Sequence, residues 1–287
     1  MKLTQDLRLS LLALFFFGGL AGWMAWSAYG SAVDYETRAT TLAAQAEPNA
    51  QLRRAVKRWL GELPVFPLEG YEKEIRTLDA QREAAARARR DAHLQFLGFV
   101  GAATAGVLLA VAARRRRSTV VVGLLVASLI ALVAGLLAPA MALTAAQELP
   151  AVGKVVLYFE SRGILSTILA LLGPHGSYAI GIPILLFSVI LPLAKTVVMG
   201  VAAVSSGRLG RGVLSIVHRI GKWSMADVCL TGWILAFLAS EHQRFMSAEL
   251  QVGTLFFACY AVLSILAGQW LEPPVRPATA PDPTPER

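Results

Sequence analysis

Long apolar runs constrain this chain more than anything else in it. Runs of about 20 apolar residues match the hydrocarbon thickness of a bilayer, where backbone groups find no water, so each run must close its own hydrogen bonds as a helix. Composition agrees: 55% of the 287 residues are hydrophobic and 16% are charged, the balance of a membrane protein. The net charge of +8 does not imply nucleic acid. Basic residues sit in short segments flanking the apolar runs, as the positive-inside bias requires.

The first run, Leu9 to Tyr29, follows Lys2 and Arg8 and carries Phe15 to Phe17, Trp23 and Trp26. It is longer and bulkier than a signal-peptide core, so residues 1–30 read as an uncleaved anchor, with cleavage near Gly30 and Ala32 as the alternative. Residues 31–93 hold eleven Lys or Arg against ten Asp or Glu and read as an extramembrane, periplasmic helical segment. Pro48, Pro64 and Pro67 divide it, and its last helix starts near Glu69 and runs on toward the next span. Leu94 to Ala113 is the second span, rich in small residues that permit close helix approach. Arg114 to Arg117 stop it on the cytoplasmic side, so residues 94–117 form one unit.

Residues 118–271 read as a four-helix membrane module. Its spans are Val120 to Leu143, Ile180 to Val204, Trp223 to Ser240 and Val252 to Trp270. Ile164 to Leu172 is too short to span and lies in the interface or re-enters. The loop carrying Arg208, Arg211, His218, Arg219 and Lys222 is again cytoplasmic. The tail, residues 272–287, holds six of the fourteen prolines and reads as disordered. The expected fold class is all-α: a polytopic membrane protein with six transmembrane helices and both termini cytoplasmic.

Two ionisable residues interrupt the last four spans. An ionisable group at a span centre costs roughly 2.5 to 3.5 kcal/mol on insertion scales, so it is paired or faces water. Ser188, Pro192 and Lys195 are spaced i, i+4, i+7 and share one helical face. Pro192 withholds a hydrogen bond from the Ser188 carbonyl and kinks the helix. Ser224, Asp227 and Thr231, at i, i+3, i+7, form a second polar face just inside Trp223. Counted from the cytoplasmic ends, Lys195 lies roughly 13 Å deep and Asp227 roughly 7 Å, an offset that a lysine side chain covers. The pair reads as a titratable polar seam. A static salt bridge, or a lysine snorkelling to the surface, is the competing reading. Thr254 and Ser264 on the last span join the seam only if they do not bond their own backbone.

Nothing points to a cofactor or metal. Cys229 and Cys259 lie in apolar runs far from any C-x-x-C spacing, and His175 and His218 have no partner at metal spacing. Nucleophile-elbow, P-loop and zinc-protease patterns are missing from the sequence, so no enzymatic activity is expected.

The segments Ser188-Val-Ile-Leu-Pro-Leu-Ala-Lys195 and Gly221-Lys-Trp-Ser-Met-Ala-Asp-Val228 resemble the two best-marked motifs of the paraquat-inducible protein A family. Glu160-Ser-Arg-Gly-Ile-Leu-Ser-Thr-Ile168 resembles its stretch after the first core helix, which ends with a proline where Pro139 stands. The resemblance covers roughly residues 120–270. It implies a four-helix module of the bacterial inner membrane, working with mammalian-cell-entry-domain proteins that carry membrane lipids across the periplasm. It implies that Ser188, Lys195, Ser224 and Asp227 line a polar network that shuttles protons, with Pro192 and Trp223 structural. The chain lacks the paired zinc ribbons and the second module of many relatives, and carries an anchor and residues 31–93 instead. The function expected is therefore an inner-membrane subunit of lipid or amphiphile transport. The rivals are a non-transporting assembly or envelope-stress protein that docks a periplasmic partner and, further off, a membrane enzyme acting on lipid.

Overall fold

The structure, a computed structural model, describes residues 2–45, 69–112, 117–149, 153–174, 176–204 and 246–271. The expected fifth span, Trp223 to Ser240, and the proline-rich tail lie outside the described residues. In chain order the elements are α1 (Lys2–Gln45), α2 (Glu69–Ala112), α3 (Arg117–Leu137), β1 (Pro139–Leu149), β2 (Gly153–Gly163) and α4 (Ile164–Leu171). They continue with α5 (Tyr178–Leu185), a π-helical turn (Leu186–Ile190), α6 (Leu191–Val204), β3 (Met246–Leu250) and α7 (Val252–Leu271).

Four helical stretches among the described residues are long and apolar enough to cross a membrane: Asp79–Ala112, Arg117–Leu137, Tyr178–Ala203 and Val252–Leu271. Their outward faces stay apolar, with Leu97, Leu108, Ile182, Val197 and Val262 exposed. A soluble protein would not leave so much apolar surface open, and a lipid environment accounts for it. The molecule is a mostly helical, multi-pass membrane protein.

Helices α1 and α2 have 44 residues each, about 66 Å at the α-helical rise, more than twice a bilayer core. The expected second span and the polar helix from Glu69 are thus one continuous helix. The two run antiparallel along a seam of small residues. Ala21, Ala25, Ala28 and Ala32 of α1 are buried, as are Ala85, Ala88, Ala92 and Phe99 of α2. These are near-heptad spacings that bring two helices close. A Cβ on Gly98 would meet Met24 Sδ, and one on Gly106 would fall 3.2 Å from Phe17. Where the pair leaves its apolar stretch, the Ser31 hydroxyl donates to Gln95 Oε1 at 3.1 Å. Beyond that point α2 continues about 37 Å from His93 back to Glu69.

Against this hairpin pack α3 and α7, the centre of the bundle. Phe96 and Phe99 of α2 meet Phe256 of α7 with ring centroids 5.0 and 5.2 Å apart. Helix α3 stops at Leu137 because Pro139 disfavours helical geometry at Ala138, so the expected third span is shorter than Val120 to Leu143. The chain turns straight into β1.

The three strands form an antiparallel sheet in the order β2-β1-β3, an addition to the all-helical architecture expected. Val155, Val156, Tyr158 and Phe159 suit β2, but β1 is alanine-rich and β3 returns only after the intervening spans. Local pattern alone does not reveal the pairing.

Past Met141, which pairs with Leu250, the Ala140 carbonyl turns toward the segment entering α7. That oxygen accepts the Gln251 N–H at 2.9 Å and the Thr254 hydroxyl at 2.6 Å. The start of α7 is thereby clamped to the end of α3. Thr254 is committed to this joint, which answers one of the two hydroxyl questions left by the sequence. Close approach needs glycine here: a Cβ on Gly253 would lie 2.6 Å from the Ala138 and Pro139 carbonyl oxygens, and one on Gly135 would lie 2.7 Å from the Phe257 nitrogen.

One row of the sheet, Ser161, Ala142 and Glu249, is tied to the hairpin at Glu249 and faces it at Ser161. Glu249 pairs with Arg89 of α2 at 2.8 Å, and the Ser161 hydroxyl faces Glu36 of α1. Burial pushes the Glu36 carboxyl above its usual range, and the Ser161 hydroxyl pulls it back in part. The short apolar stretch expected to be helical is α4. It begins where the Gly163 N–H donates to Ser166 Oγ at 3.0 Å and the Thr167 hydroxyl donates to the Gly163 carbonyl at 2.8 Å.

Gly253→Val should cost about 1–3 kcal/mol through overpacking against backbone. Gly200→Ala, with nothing within 4 Å of the new Cβ, should gain about 0.5–1 kcal/mol. Thermal unfolding in detergent measures both. Glu36 sets a pH dependence of known sign. Because its folded carboxyl holds its proton more tightly than the unfolded one, its contribution to stability falls as pH rises from the ordinary carboxyl range through the raised folded value. Glu36→Gln should flatten that slope, read as the unfolding temperature between pH 4 and pH 7.

Candidate functional site, a buried lysine beside a kinked helix

The span from Tyr178 to Val204 is not a regular helix. Pro192 has no N–H to offer the Ser188 carbonyl, and the helix widens just before it into the π turn Leu186–Ile190, where the Leu191 N–H reaches back to the Leu186 carbonyl. Such turns insert an extra residue into a helix and recur at functional sites. Ser188 lies within the turn and Lys195 one helical turn beyond Pro192. All three residues on the expected face are buried, Ser188 at 8% exposure and Lys195 at 7%. That degree of burial places most of the Lys195 side chain inside the bundle.

The Pro192 carbonyl collects donors. Thr196 Oγ1 donates to it at 2.9 Å and the Tyr260 hydroxyl of α7 donates at 3.2 Å. Further along the same pair of helices, a Cβ on Gly268 would sit 3.7 Å from Met199 Cε. These two contacts set a parallel register between α6 and α7, which puts Ser264 at the level of Lys195 and Thr196. Ser264 is 1% exposed, and its hydroxyl has no partner among the described residues. Ser128 of α3, also fully buried, donates to the carbonyl of Leu125 in its own helix.

Among the described residues no carboxylate lies within ion-pair distance of Lys195. Ser224, Asp227 and Thr231, the second polar face, lie outside the described residues, as does Trp223. Among the described residues there is also no group of three or more His, Cys, Asp or Glu able to hold a metal ion.

Two participants escape the sequence reading, Thr196 and Tyr260. Both have a signal in retrospect. Thr196 stands four residues after Pro192, the distance at which a hydroxyl reaches back to a helical carbonyl. Tyr260 carries a hydroxyl that must find a partner inside an apolar span.

A bundle of apolar helices with a kinked span and a lysine turned into its interior is a polytopic membrane protein with an internal polar seam. A model of the family described as paraquat-inducible protein A matches residues 119–275, more than half of the chain. The chain belongs to the paraquat-inducible protein A family. No curated protein and no solved structure matches it.

Lys195→Met, close in length and without charge, distinguishes a functional lysine from a structural one. Loss of one partner of a fixed buried ion pair costs about 3–5 kcal/mol. The expected cost here is below about 2 kcal/mol, because among the described residues no carboxylate lies within ion-pair distance of Lys195 to be left unpaired. Unfolding in detergent measures it.

Proposed function

We propose that the protein is an inner-membrane subunit of a system that moves lipids or other amphiphiles between the inner and outer membranes, with its conformational cycle coupled to protonation of Lys195 and Asp227. The observation that carries this reading is the placement of Lys195. A charge held at 7% exposure within a span is expensive and is ordinarily tied to function, and here it sits one turn from a joint in the helix. Protonation at such a site changes the cost of burying it, and a helix interrupted by a π turn and a proline is able to respond by bending.

On this reading both termini are cytoplasmic, and the three-stranded sheet and the outer part of the α1–α2 hairpin project into the periplasm. A mammalian-cell-entry-domain protein is the partner proposed there, and membrane lipids are the cargo class. The protein carries out no covalent chemistry on its cargo and needs no cofactor. One observation favours a second reading, that of an assembly or envelope-stress protein. The hairpin extends well beyond the apolar zone and is tied to the sheet by Arg89 and Glu249, which suits a docking strut.

Replacement of the seam residues separates the two. Lys195→Ala and Asp227→Asn should each abolish lipid transfer in reconstituted vesicles and complementation of a deletion strain, while the variants insert and purify as the native chain does. Full activity of both would overturn the coupled-transport reading and favour the docking one.

A further inference from the structure

We infer that Tyr260 is the latch of the α6 joint: its hydroxyl, bonded to the Pro192 carbonyl, holds the kinked span against α7 and keeps the seam around Lys195 closed. The inference deepens the proposed transport function and rests on it for the latch's part in a cycle. The structural half stands on geometry alone.

A proline joint leaves the helix with a weak point, because the Ser188 carbonyl loses its backbone donor, while the Pro192 carbonyl, in the regular helix that follows, accepts side-chain donors as well. At Pro192 one donor is local, Thr196 Oγ1 at 2.9 Å, and moves with α6 whatever the helix does. The other is the Tyr260 hydroxyl at 3.2 Å, which belongs to α7 and therefore resists any motion of α6 away from it. Tyr260 is 3% exposed, and its ring stands beside Phe257 with centroids 6.1 Å apart, so the hydroxyl is delivered by a side chain packed in place. Helix α7 is itself clamped to the end of α3 through Ala140, Gln251 and Thr254. The latch thus joins the movable span to the fixed part of the bundle.

Geometry also supports release as well as closure. If the Tyr260 bond breaks, the Pro192 carbonyl keeps Thr196 as a donor, so opening does not strand a bare acceptor in hydrocarbon. Ser264, one turn farther along α7 and without a partner among the described residues, faces the same level of the seam. A shift of α6 would therefore alter the surroundings of Lys195 first. Tyr260 acts on the site through Pro192 and is a positioning residue.

Hydrogen–deuterium exchange of the full chain in lipid nanodiscs tests the latch without reference to transport. Tyr260→Phe keeps the ring and removes the hydroxyl. Peptides covering residues 191–200 should exchange about tenfold faster, the factor that one hydrogen bond of ordinary net strength sets, while peptides from α3 stay unchanged. Pro192→Ala restores an N–H and removes the joint, so adding Tyr260→Phe to it should produce no further change. Native exchange in Tyr260→Phe, or equal acceleration with and without Pro192, would overturn the proposal. If Tyr260→Phe accelerates exchange while Lys195→Ala and Asp227→Asn remain active, the latch stands and the transport reading falls. If exchange is native while those variants are inactive, the latch falls and transport stands.

Discussion

Inside hydrocarbon an unbonded backbone group has nowhere to turn, and the form of this protein follows from how each irregularity in its helices is answered. Pro192 withdraws one donor from the span between Tyr178 and Val204. The chain takes a π turn before the proline, and the carbonyl of the proline itself accepts two hydroxyls, one from its own helix and one from α7. The Ala140 carbonyl at the start of β1 is taken up at the entry to α7. Both of the longer-range contacts reach α7, so satisfying polar groups also ties α6 and the end of α3 to that helix.

Packing density turns those contacts into rigidity. Gly135 and Gly253 let α3 and α7 approach until backbone meets backbone, and the alanine seam does the same for α1 and α2. Packed on α3 and α7, the span carrying Lys195 is the irregular one. Its interior face holds the polar residues and its outer face is apolar, with Ile190, Val197 and Val201 exposed. A buried polar face on an irregular span is why the function is sought on α6 rather than in the long hairpin.

Much of this was legible from residue order. The apolar runs located four of the spans, and the expected Val252 to Trp270 differs from α7 by a single residue at its end. The i, i+4, i+7 spacing brought Ser188, Pro192 and Lys195 to one buried face. The sheet was not legible. Its β1 carries no alternation of polar and apolar residues, and its pairing with β3 joins segments that are distant in sequence. Tyr260 was also missed, because an aromatic residue in a span reads as packing until its hydroxyl is seen to have an acceptor.

The sequence by itself determined that the chain must cross a membrane as helices, that one helix must break its pattern at Pro192, and that a lysine shares the helical face beside the break. Those conclusions need only the period of a helix, the missing N–H of proline and the cost of charge in hydrocarbon. Tertiary structure alone decided which groups answer the break. Beside the local Thr196, the donors that meet the Pro192 and Ala140 carbonyls, Tyr260, Gln251 and Thr254, lie dozens of residues away, and helical periodicity carries no information about which segment lies alongside.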